Sequence, residues 1–188
     1  MLNASAQENN TLVQGSNSSI QRSMSLYGEF GLKVLTVTGD ASPALNASVG
    51  VGFNQNISAG IGFQTTLSSL QPDAESDPEV FYNLYFGSMF FEYNWNPNSV
   101  FSISTPLHLG AGINKLVNET GEEINGLESD KIIVIMPAVK GNINVSPRVS
   151  LNLNVGYRLM GLVADSRGLS NGDMSGLEAG VGLKFNIL

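Results

Sequence analysis

Apolar and polar residues alternate one by one along most of the chain. In residues 101–113 six of the seven odd-numbered positions are apolar, namely Phe101, Ile103, Leu107, Leu109, Ala111 and Ile113. The positions between them include Ser102, Ser104, His108, Gly110 and Gly112. Successive side chains of a β-strand point to opposite faces, so this pattern predicts a strand with one apolar and one polar face.

Eight segments show this alternation: residues 24–38, 45–53, 57–67, 80–95, 101–113, 133–145, 149–159 and 177–187. They are long enough for tilted strands that cross a bilayer core about 30 Å thick, and an even strand number is typical of bacterial single-chain barrels. We therefore predict an all-β fold, an eight-stranded antiparallel up-and-down transmembrane β-barrel, over residues 24–188. Residues 80–86 are apolar on both faces and predict a bulge near Gly87.

The connections between these segments differ in length in a regular way. Residues 54–56, 94–99 and 146–148 are short connections, whereas 69–79, 115–130 and 161–175 are long, and the first connection, near residues 39–43, is compact. Short periplasmic turns and longer external loops are the outer-membrane arrangement.

The composition of the two faces indicates which one points outward. The polar face is mostly Gly, Ser and Asn, which suits the narrow interior of an eight-stranded barrel. The apolar face carries no charge away from the strand ends, and a Lys or Arg at the bilayer midplane would cost about 2–4 kcal/mol. A soluble lipocalin-like carrier is the alternative at the level of the fold.

Aromatic residues gather near the two ends of the predicted strands. Those expected near the short turns form a predicted aromatic girdle of Phe53, Tyr93, Trp95, Phe101 and Phe185. A second group, expected near the long connections, comprises Phe81, Tyr82 and Tyr85. The alternative interpretation is the general enrichment of aromatic residues in strands.

Composition narrows the possible chemistry. Only 13% of residues are charged, about half the usual share of a soluble domain. The chain has no cysteine and one histidine, which excludes disulfides, thiolate zinc sites and a His-rich metal site within one chain. The net charge of −7 argues against a nucleic-acid partner. We expect no cofactor and no metal.

Residues 1–23 are rich in Asn, Ser and Gln and predict a flexible polar leader. Within this leader Ala4-Ser5-Ala6 fits the small-x-small pattern of a signal-peptidase site, so the leader up to Ala6 is interpreted as a signal-peptide remnant. A chance spacing of alanines is the alternative interpretation.

The main candidate site consists of the charged residues at strand positions whose side chains are predicted to face the barrel interior. They are Glu29, Lys33, Glu92, His108, Lys140, Arg158, Glu178 and Lys184. We predict a structural ion-pair network in the lumen, with a gated polar path or a catalytic cluster as alternatives. A last hairpin symmetric about Gly168 would place Arg158 opposite Glu178. His108, with Ser102 and Ser104 on its face, is the only candidate base of its kind, and we predict no catalytic residue.

The predicted long-connection end is strongly acidic. Its acidic residues are Asp40, Asp73, Glu75, Asp77, Glu79, Glu119, Glu122, Glu123, Glu128, Asp130, Asp165 and Asp173, opposed by Lys115, Lys131 and Arg167. This charge suits divalent cations or a basic partner. The alternative is a solvated surface beside anionic lipopolysaccharide.

Two stretches of the sixth and seventh segments form a distinctive motif. They are the run Pro137-Ala138-Val139-Lys140-Gly141-Asn142-Ile143-Asn144-Val145-Ser146-Pro147-Arg148 and, shortly after it, Val155-Gly156-Tyr157-Arg158. With residues 101–112 and 180–185, this motif resembles the outer-membrane β-barrel domain proteins of Bacteroidota-like bacteria. The architecture is similar to the transmembrane domain of outer-membrane protein A. The resemblance covers residues 24–188 and implies a fold and a compartment rather than an activity; the chain lacks the terminal aromatic residue of many proteobacterial barrels.

Together these features predict a small outer-membrane barrel that is structural, adhesive or partner-binding and acts through its acidic loops. A small-solute pore and a lipid-modifying enzyme are the alternative functions. The expected partners are outer-membrane lipid, lipopolysaccharide and an extracellular or envelope protein, and the expected state is a monomer.

Overall fold

The computed structural model describes residues 24–37, 40–67, 81–118, 130–162 and 171–187. The strands are β1 (Ser25–Val37), β2 (Asp40–Gly52), β3 (Ile57–Thr66), β4 (Phe81–Trp95), β5 (Phe101–Val117), β6 (Asp130–Ser146), β7 (Val149–Leu162) and β8 (Gly176–Asn186). A single helical turn, α1 (Asn171–Met174), precedes β8. Within these ranges no helix is long and apolar enough to cross a membrane. The predicted leader, residues 1–23, lies outside the described residues.

The eight strands form one closed antiparallel barrel in which β8 pairs with β1. Phe30 of β1, for example, lies opposite Ala47 of β2 on one side and Leu183 of β8 on the other. Closure gives every strand two neighbours, so the sheet has no edge. The predicted fold class, an eight-stranded up-and-down barrel, is confirmed.

The outer face is apolar, as the alternation predicts. Exposed apolar side chains occur on every strand, among them Phe30, Val49, Ile61, Phe91, Ile103, Ile133, Leu153 and Val181. Phe101 is 70% exposed, whereas Ser102 and Ser104 on the other face of the same strand are buried. The outer surface of the barrel is thus apolar, unlike the surface of a soluble protein.

The bulge predicted near Gly87 is absent, and that prediction is wrong. Gly87 pairs in register with Phe63 of β3 and Ala111 of β5. A register irregularity does occur between Asn144 and Ser146, beside the short turn from β6 to β7. Apart from Asn83, residues 81–86 are apolar on both faces for another reason: the inward side chains of Tyr82, Leu84 and Phe86 fill the barrel.

An apolar cluster occupies the interior at the end of the long connections. It consists of Leu35, Val37, Ala44, Tyr82, Leu84, Phe86, Leu116, Ile132, Val134, Met136, Met160 and Met174. These residues come from the ends of β1, β5 and β7, the starts of β2, β4 and β6, and α1, all at one end of the barrel. We call this set the apolar plug; the alternation of apolar and polar residues does not predict it.

The first connection is shorter than predicted. β2 begins at Asp40, and Pro43 lies within that strand opposite Val34. Residues 40–43 therefore belong to the barrel wall rather than to a turn.

Candidate functional site

All eight predicted lumen residues occupy inward positions of their strands. Six are buried, and their exposed fractions run from 0% to 9%: Glu29, Lys33, Glu92, Lys140, Arg158 and Glu178. His108 and Lys184 are half-buried. Five of the eight strands contribute a charge to the interior in this way, so charges far apart in sequence meet across the lumen.

Lys140 of β6 joins two carboxylates nearer the short turns. Its Nζ lies 2.9 Å from Glu29 Oε2 of β1 and 3.2 Å from Glu92 Oε2 of β4. Because β1 and β6 are not neighbouring strands of the barrel, the contact between Glu29 and Lys140 crosses the lumen. We call these three residues the lower charge cluster; its pairing offsets part of the cost of burying each charge.

Glu178 of β8 is the centre of a second group. Its carboxylate lies 3.1 Å from Lys33 Nζ and 3.2 Å from the Arg158 guanidinium. Gln64 donates to the same carboxylate at 2.8 Å and accepts from Lys33 at 2.9 Å. These four residues form the upper charge cluster. Gln64 was not among the predicted members, although its position on the polar face of β3 was evident from the alternation.

The predicted register between Arg158 and Glu178 is wrong by two residues. Arg158 lies opposite Gly176, and Glu178 lies opposite Gly156. The ion pair forms between diagonal neighbours instead, because the long arginine side chain reaches along the strand. The guanidinium also donates to the carbonyl oxygens of Thr36 and Met174, both at 3.2 Å, and so connects β7 with β1 and α1.

Lys184 is placed over an aromatic ring rather than in a carboxylate pair. Its Nζ lies 3.7 Å from the ring centroid of Tyr27, a cation–π arrangement. The Tyr27 hydroxyl donates to Ser58 Oγ at 3.2 Å. A Cβ at Gly50 would collide with the Tyr27 ring, so the glycine provides the space that the ring occupies.

His108 pairs with a serine that the sequence analysis did not select. Its Nδ1 lies 3.3 Å from Ser88 Oγ of β4, and its ring lies against Phe90 with centroids 5.3 Å apart. Ser104 instead accepts from Asn142. No carboxylate in the described part of the chain hydrogen-bonds to His108, so the group that would orient a catalytic imidazole is absent there.

A polar pocket lies between the two charge clusters. Residues of both clusters line it, among them Lys33, Gln64, Glu29 and Lys140, together with His108. Phe86 and Met136 of the apolar plug also line it. The lumen therefore changes from polar to apolar along its axis. The paired charges of the two clusters lie next to the border between its polar part and the apolar plug.

The five residues of the predicted girdle all lie on the outer face near the short turns. Their exposed fractions run from 41% to 70%: Phe53, Tyr93, Trp95, Phe101 and Phe185. Tyr93 and Trp95 contact each other edge to face, with ring centroids 4.8 Å apart. Tyr82 of the second predicted group is 0% exposed and belongs to the apolar plug, so its assignment to the surface is wrong.

Most of the predicted acidic end lies outside the described residues. Three of its acidic residues lie in described elements: Asp40 begins β2, Asp173 lies in α1, and Asp130 lies in β6. For Asp130 the interpretation as part of a solvated surface is wrong. This residue begins β6, lies opposite Asn114 and is 6% exposed on the inward face.

A continuous apolar surface around a closed barrel is suited to a lipid environment. In hydrocarbon every backbone polar group must be paired internally, and a closed barrel achieves this with strands. Membrane barrels of this kind with an even number of antiparallel strands are of the outer-membrane type. The apolar outer face and the closure thus point to the bacterial outer membrane as the location of the chain.

Comparison with protein-family models and with curated protein sequences gives no match. Among solved structures, the fold is similar to Neisserial surface protein A, with a TM-score of 0.63 and 10% identity over 88% of this chain and 98% of that one. It is also similar to Ail, the attachment invasion locus protein of Yersinia pestis, with a TM-score of 0.52 and 14% identity over 87% of this chain and 97% of that one. At these identities the likeness concerns the fold alone, which is that of the small outer-membrane β-barrels.

Proposed function

We propose that this chain is a non-conducting, non-enzymatic outer-membrane barrel that anchors its long connections outside the cell for a structural, adhesive or partner-binding role. The observation that carries the proposal is the filling of the lumen by the apolar plug next to two charge clusters. A barrel whose interior is occupied in this way leaves its connections as the surface available to partners.

The proposed orientation puts the short turns in the periplasm and the long connections outside. The girdle of Phe53, Tyr93, Trp95, Phe101 and Phe185 supports it, because exposed aromatic side chains favour the interface between membrane and water. Outer-membrane lipid and lipopolysaccharide are then the immediate surroundings of the apolar face. We also propose that the barrel is monomeric, since one chain closes the sheet.

A pore is the less favoured alternative. An ion crossing the lumen would have to separate paired charges, such as Lys140 and Glu29, and then enter the apolar plug. Eight-stranded barrels are just wide enough for side chains to fill. The two obstacles lie one after the other along the axis, so removing one alone leaves the path blocked.

A lipid-modifying enzyme is also less favoured. The contact between Ser88 and His108 is the arrangement closest to catalysis in the described part of the chain, but both side chains face the lumen rather than lipid. A soluble lipocalin-like carrier would need a polar outer face, and the outer face here is apolar.

The narrower resemblance to barrels of Bacteroidota-like bacteria, and to the transmembrane domain of outer-membrane protein A, is part of this proposal. It is supported by the sequence of residues 137–148, which forms the lower half of β6 and the turn into β7.

Conductance across a planar bilayer tests the sealed lumen. The chain, inserted at single-molecule density, is expected to produce no resolved ion current. A variant that opens both obstacles, Tyr82→Ala/Leu84→Ala/Lys140→Ala, is expected to conduct, and Ile61→Ala on the outer face is the control that should not. Steady channels from the unaltered chain would contradict the proposal.

Turnover of phospholipid and lipid A by the reconstituted chain tests the non-enzymatic role. No product is expected from the unaltered chain or from Ser88→Ala. Turnover that disappears in Ser88→Ala and in His108→Ala would assign an enzyme and overturn this part of the proposal.

A further inference from the structure

One pair of polar side chains interrupts the apolar plug. Asn114 of β5 and Asp130 of β6 are buried on the inward face, with exposed fractions of 0% and 6%. Leu84 lies opposite Asn114 in β4, and Ile132 follows Asp130 on the same face of β6. Both of these apolar residues belong to the plug. The polar pair therefore lies next to apolar side chains rather than within either charge cluster.

The two polar side chains lie directly opposite each other. Asn114 and Asp130 are partners in the register of β5 and β6, and the Cβ atoms of such partners lie about 4.5–5.5 Å apart on one face of a sheet. Both polar atoms of the Asn114 amide, and Oδ2 of Asp130, are buried without a hydrogen-bond partner among the described residues. Buried polar groups are nearly always hydrogen-bonded or bound to a ligand, so three unsatisfied atoms in one small region point to a ligand there.

The charge of Asp130 has no counterion in the part of the chain that the structure describes. Lys131 is the next residue, but it is exposed on the outer face of β6. The basic residues of the two charge clusters contact the carboxylates of those clusters. Residues 118–129, which lead into Asp130, include four glutamates and neither Lys nor Arg. A buried carboxylate without a counterion is costly, so a bound cation would remove a large penalty.

We propose that Asn114 and Asp130 form a calcium-binding site at the long-connection end of the lumen. Calcium takes six to eight oxygen ligands, and the carboxylate of Asp and the amide oxygen of Asn are among those it uses in proteins. The Asn114 amide can turn its oxygen toward the ion, since neither of its polar atoms is engaged. Mg²⁺ fits less well, because it demands near-ideal octahedral geometry and dehydrates reluctantly.

The inference goes beyond the proposed function, and it uses the proposed orientation only for the side from which the ion enters. Across the described ranges no group of three or more His, Asp or Glu side chains is suited to hold a metal ion. Asp130 and Asn114 together supply at most three oxygens, so water must complete the coordination. We therefore expect a weak site, with a Kd of about 0.1–1 mM, the range of extracellular calcium sites.

Isothermal titration calorimetry of the full chain with CaCl₂, in neutral detergent free of lipopolysaccharide, measures this binding. One ion per chain is expected. Asp130→Asn keeps the shape of the side chain and removes its charge, and it should weaken binding at least about tenfold. Asn114→Asp adds a second carboxylate and should tighten binding, by about tenfold.

Asn152→Ala is the matched control. Asn152 is also an inward-facing asparagine, 3% exposed, with both amide atoms unpartnered within the described ranges, but it lies on β7 near the short turns. This variant should bind calcium as the unaltered chain does. Binding that persists unchanged in Asp130→Asn would place the calcium elsewhere on the acidic chain and overturn the site.

Thermal stability gives a second measurement, whose sign depends on the ion. In EDTA, Asp130→Asn should unfold at a higher temperature than the unaltered chain, because the variant lacks the unpaired buried charge. Millimolar CaCl₂ should raise the unfolding midpoint of the unaltered chain by about 3 °C and leave that of the variant unchanged. The order of the two midpoints should therefore narrow or reverse when calcium is added.

Two other salts identify the ion that is recognised. An equal rise of the midpoint with MgCl₂ would overturn the choice of calcium, and an equal rise with NaCl at matched ionic strength would overturn the site in favour of screening. If the unaltered chain binds no calcium but remains a protease-resistant, non-conducting barrel, the calcium site is wrong and the proposed function stands. Conductance of the unaltered chain in a planar bilayer would contradict the proposed function without bearing on the site.

Discussion

Arg158 is fully enclosed and holds three partners from different parts of the chain. Its guanidinium contacts the Glu178 carboxylate and the carbonyl oxygens of Thr36 and Met174. A charge with 0% exposure is tolerated because these acceptors replace much of the water, although the Nε of Arg158 has no hydrogen-bond partner among the described residues. The residue therefore connects the last hairpin with β1 at the level of the upper charge cluster.

Replacement of this arginine is expected to destabilise the barrel rather than to open it. Arg158→Ala should lower the free energy of unfolding by about 3–5 kcal/mol, since Glu178 then loses one of its two ion-pair partners in the described part of the chain. Urea unfolding in lipid vesicles measures the change. Lys184→Ala, at a half-buried position, is the comparison and should lose less. Higher conductance of Arg158→Ala with little loss of stability would contradict a structural network.

Gly50 gives a sharper test of packing in the lumen. Gly50→Ala should destabilise the barrel by about 1–3 kcal/mol, because the added methyl group would meet the Tyr27 ring. Gly141→Ala is the matched control, since a Cβ there meets nothing within 4 Å. The free energy of unfolding in vesicles gives both values. Equal losses in the two variants would show that the ring moves aside.

At the scale of elements, two prolines interrupt the hydrogen-bonded wall. Pairing between β5 and β6 has a gap between Ser104–Lys140 and Leu107–Pro137, at the level of Pro106. Pairing between β6 and β7 has a gap between Ile135–Leu159 and Ala138–Gly156, at the level of Pro137. Proline has no N–H to donate, so each gap follows from the residue type.

These gaps predict uneven protection of the backbone. Amide hydrogens of residues 138–139 and 157–158 are expected to exchange faster than those of residues 47–48 in β2, where pairing is continuous. Hydrogen exchange with mass spectrometry in vesicles measures the difference. Pro137→Val restores a donor and should slow exchange at residues 157–158. Uniform protection along all strands would rule out weak points at the prolines.

The faces of β5 could be predicted from the sequence, whereas the register of the last hairpin could not. Strict alternation in residues 101–113 was enough to assign both faces of β5. The register of the last hairpin was not accessible, because it depends on the midpoint of a long connection. That midpoint lies one residue before Gly168, so every cross-strand pair shifted by two.

The apolar plug was missed for a different physical reason. Residues 132–136 of β6 are apolar on both faces, and periodicity cannot tell a doubly apolar strand from an irregular one. The same ambiguity in residues 81–86 led to the predicted bulge. The charged residues of the lumen were easier to identify, since each stands alone among small residues on the polar face. Which of them pair with each other could not be predicted, because the pairs form across the lumen of the closed barrel.

At the scale of the whole molecule, the barrel and its long connections are separable. The wall is complete without residues 119–129, because β5 and β6 already pair from Phe101–Ile143 to Asn114–Asp130. Replacement of residues 119–129 by a short Gly-Ser linker should therefore leave the barrel folded. The cost of closing a flexible loop changes slowly with its length.

Circular dichroism and resistance to proteolysis in vesicles check this expectation. The linker variant should keep the β-sheet signal and the protected fragment of the unaltered chain. Loss of the folded barrel on replacement would show that residues 119–129 contribute to the stability of the wall, and would weaken the view that the connections serve partners.

The pairing of the first strand with the last has a consequence for how the protein is made. Glu29 lies opposite Lys184, so the sheet cannot close until nearly all of the chain has been synthesised. Contacts so distant in sequence form slowly, and unpaired apolar strands are prone to aggregate in the interval. Until β8 pairs with β1, both of these strands expose an edge with unpaired N–H and C=O groups.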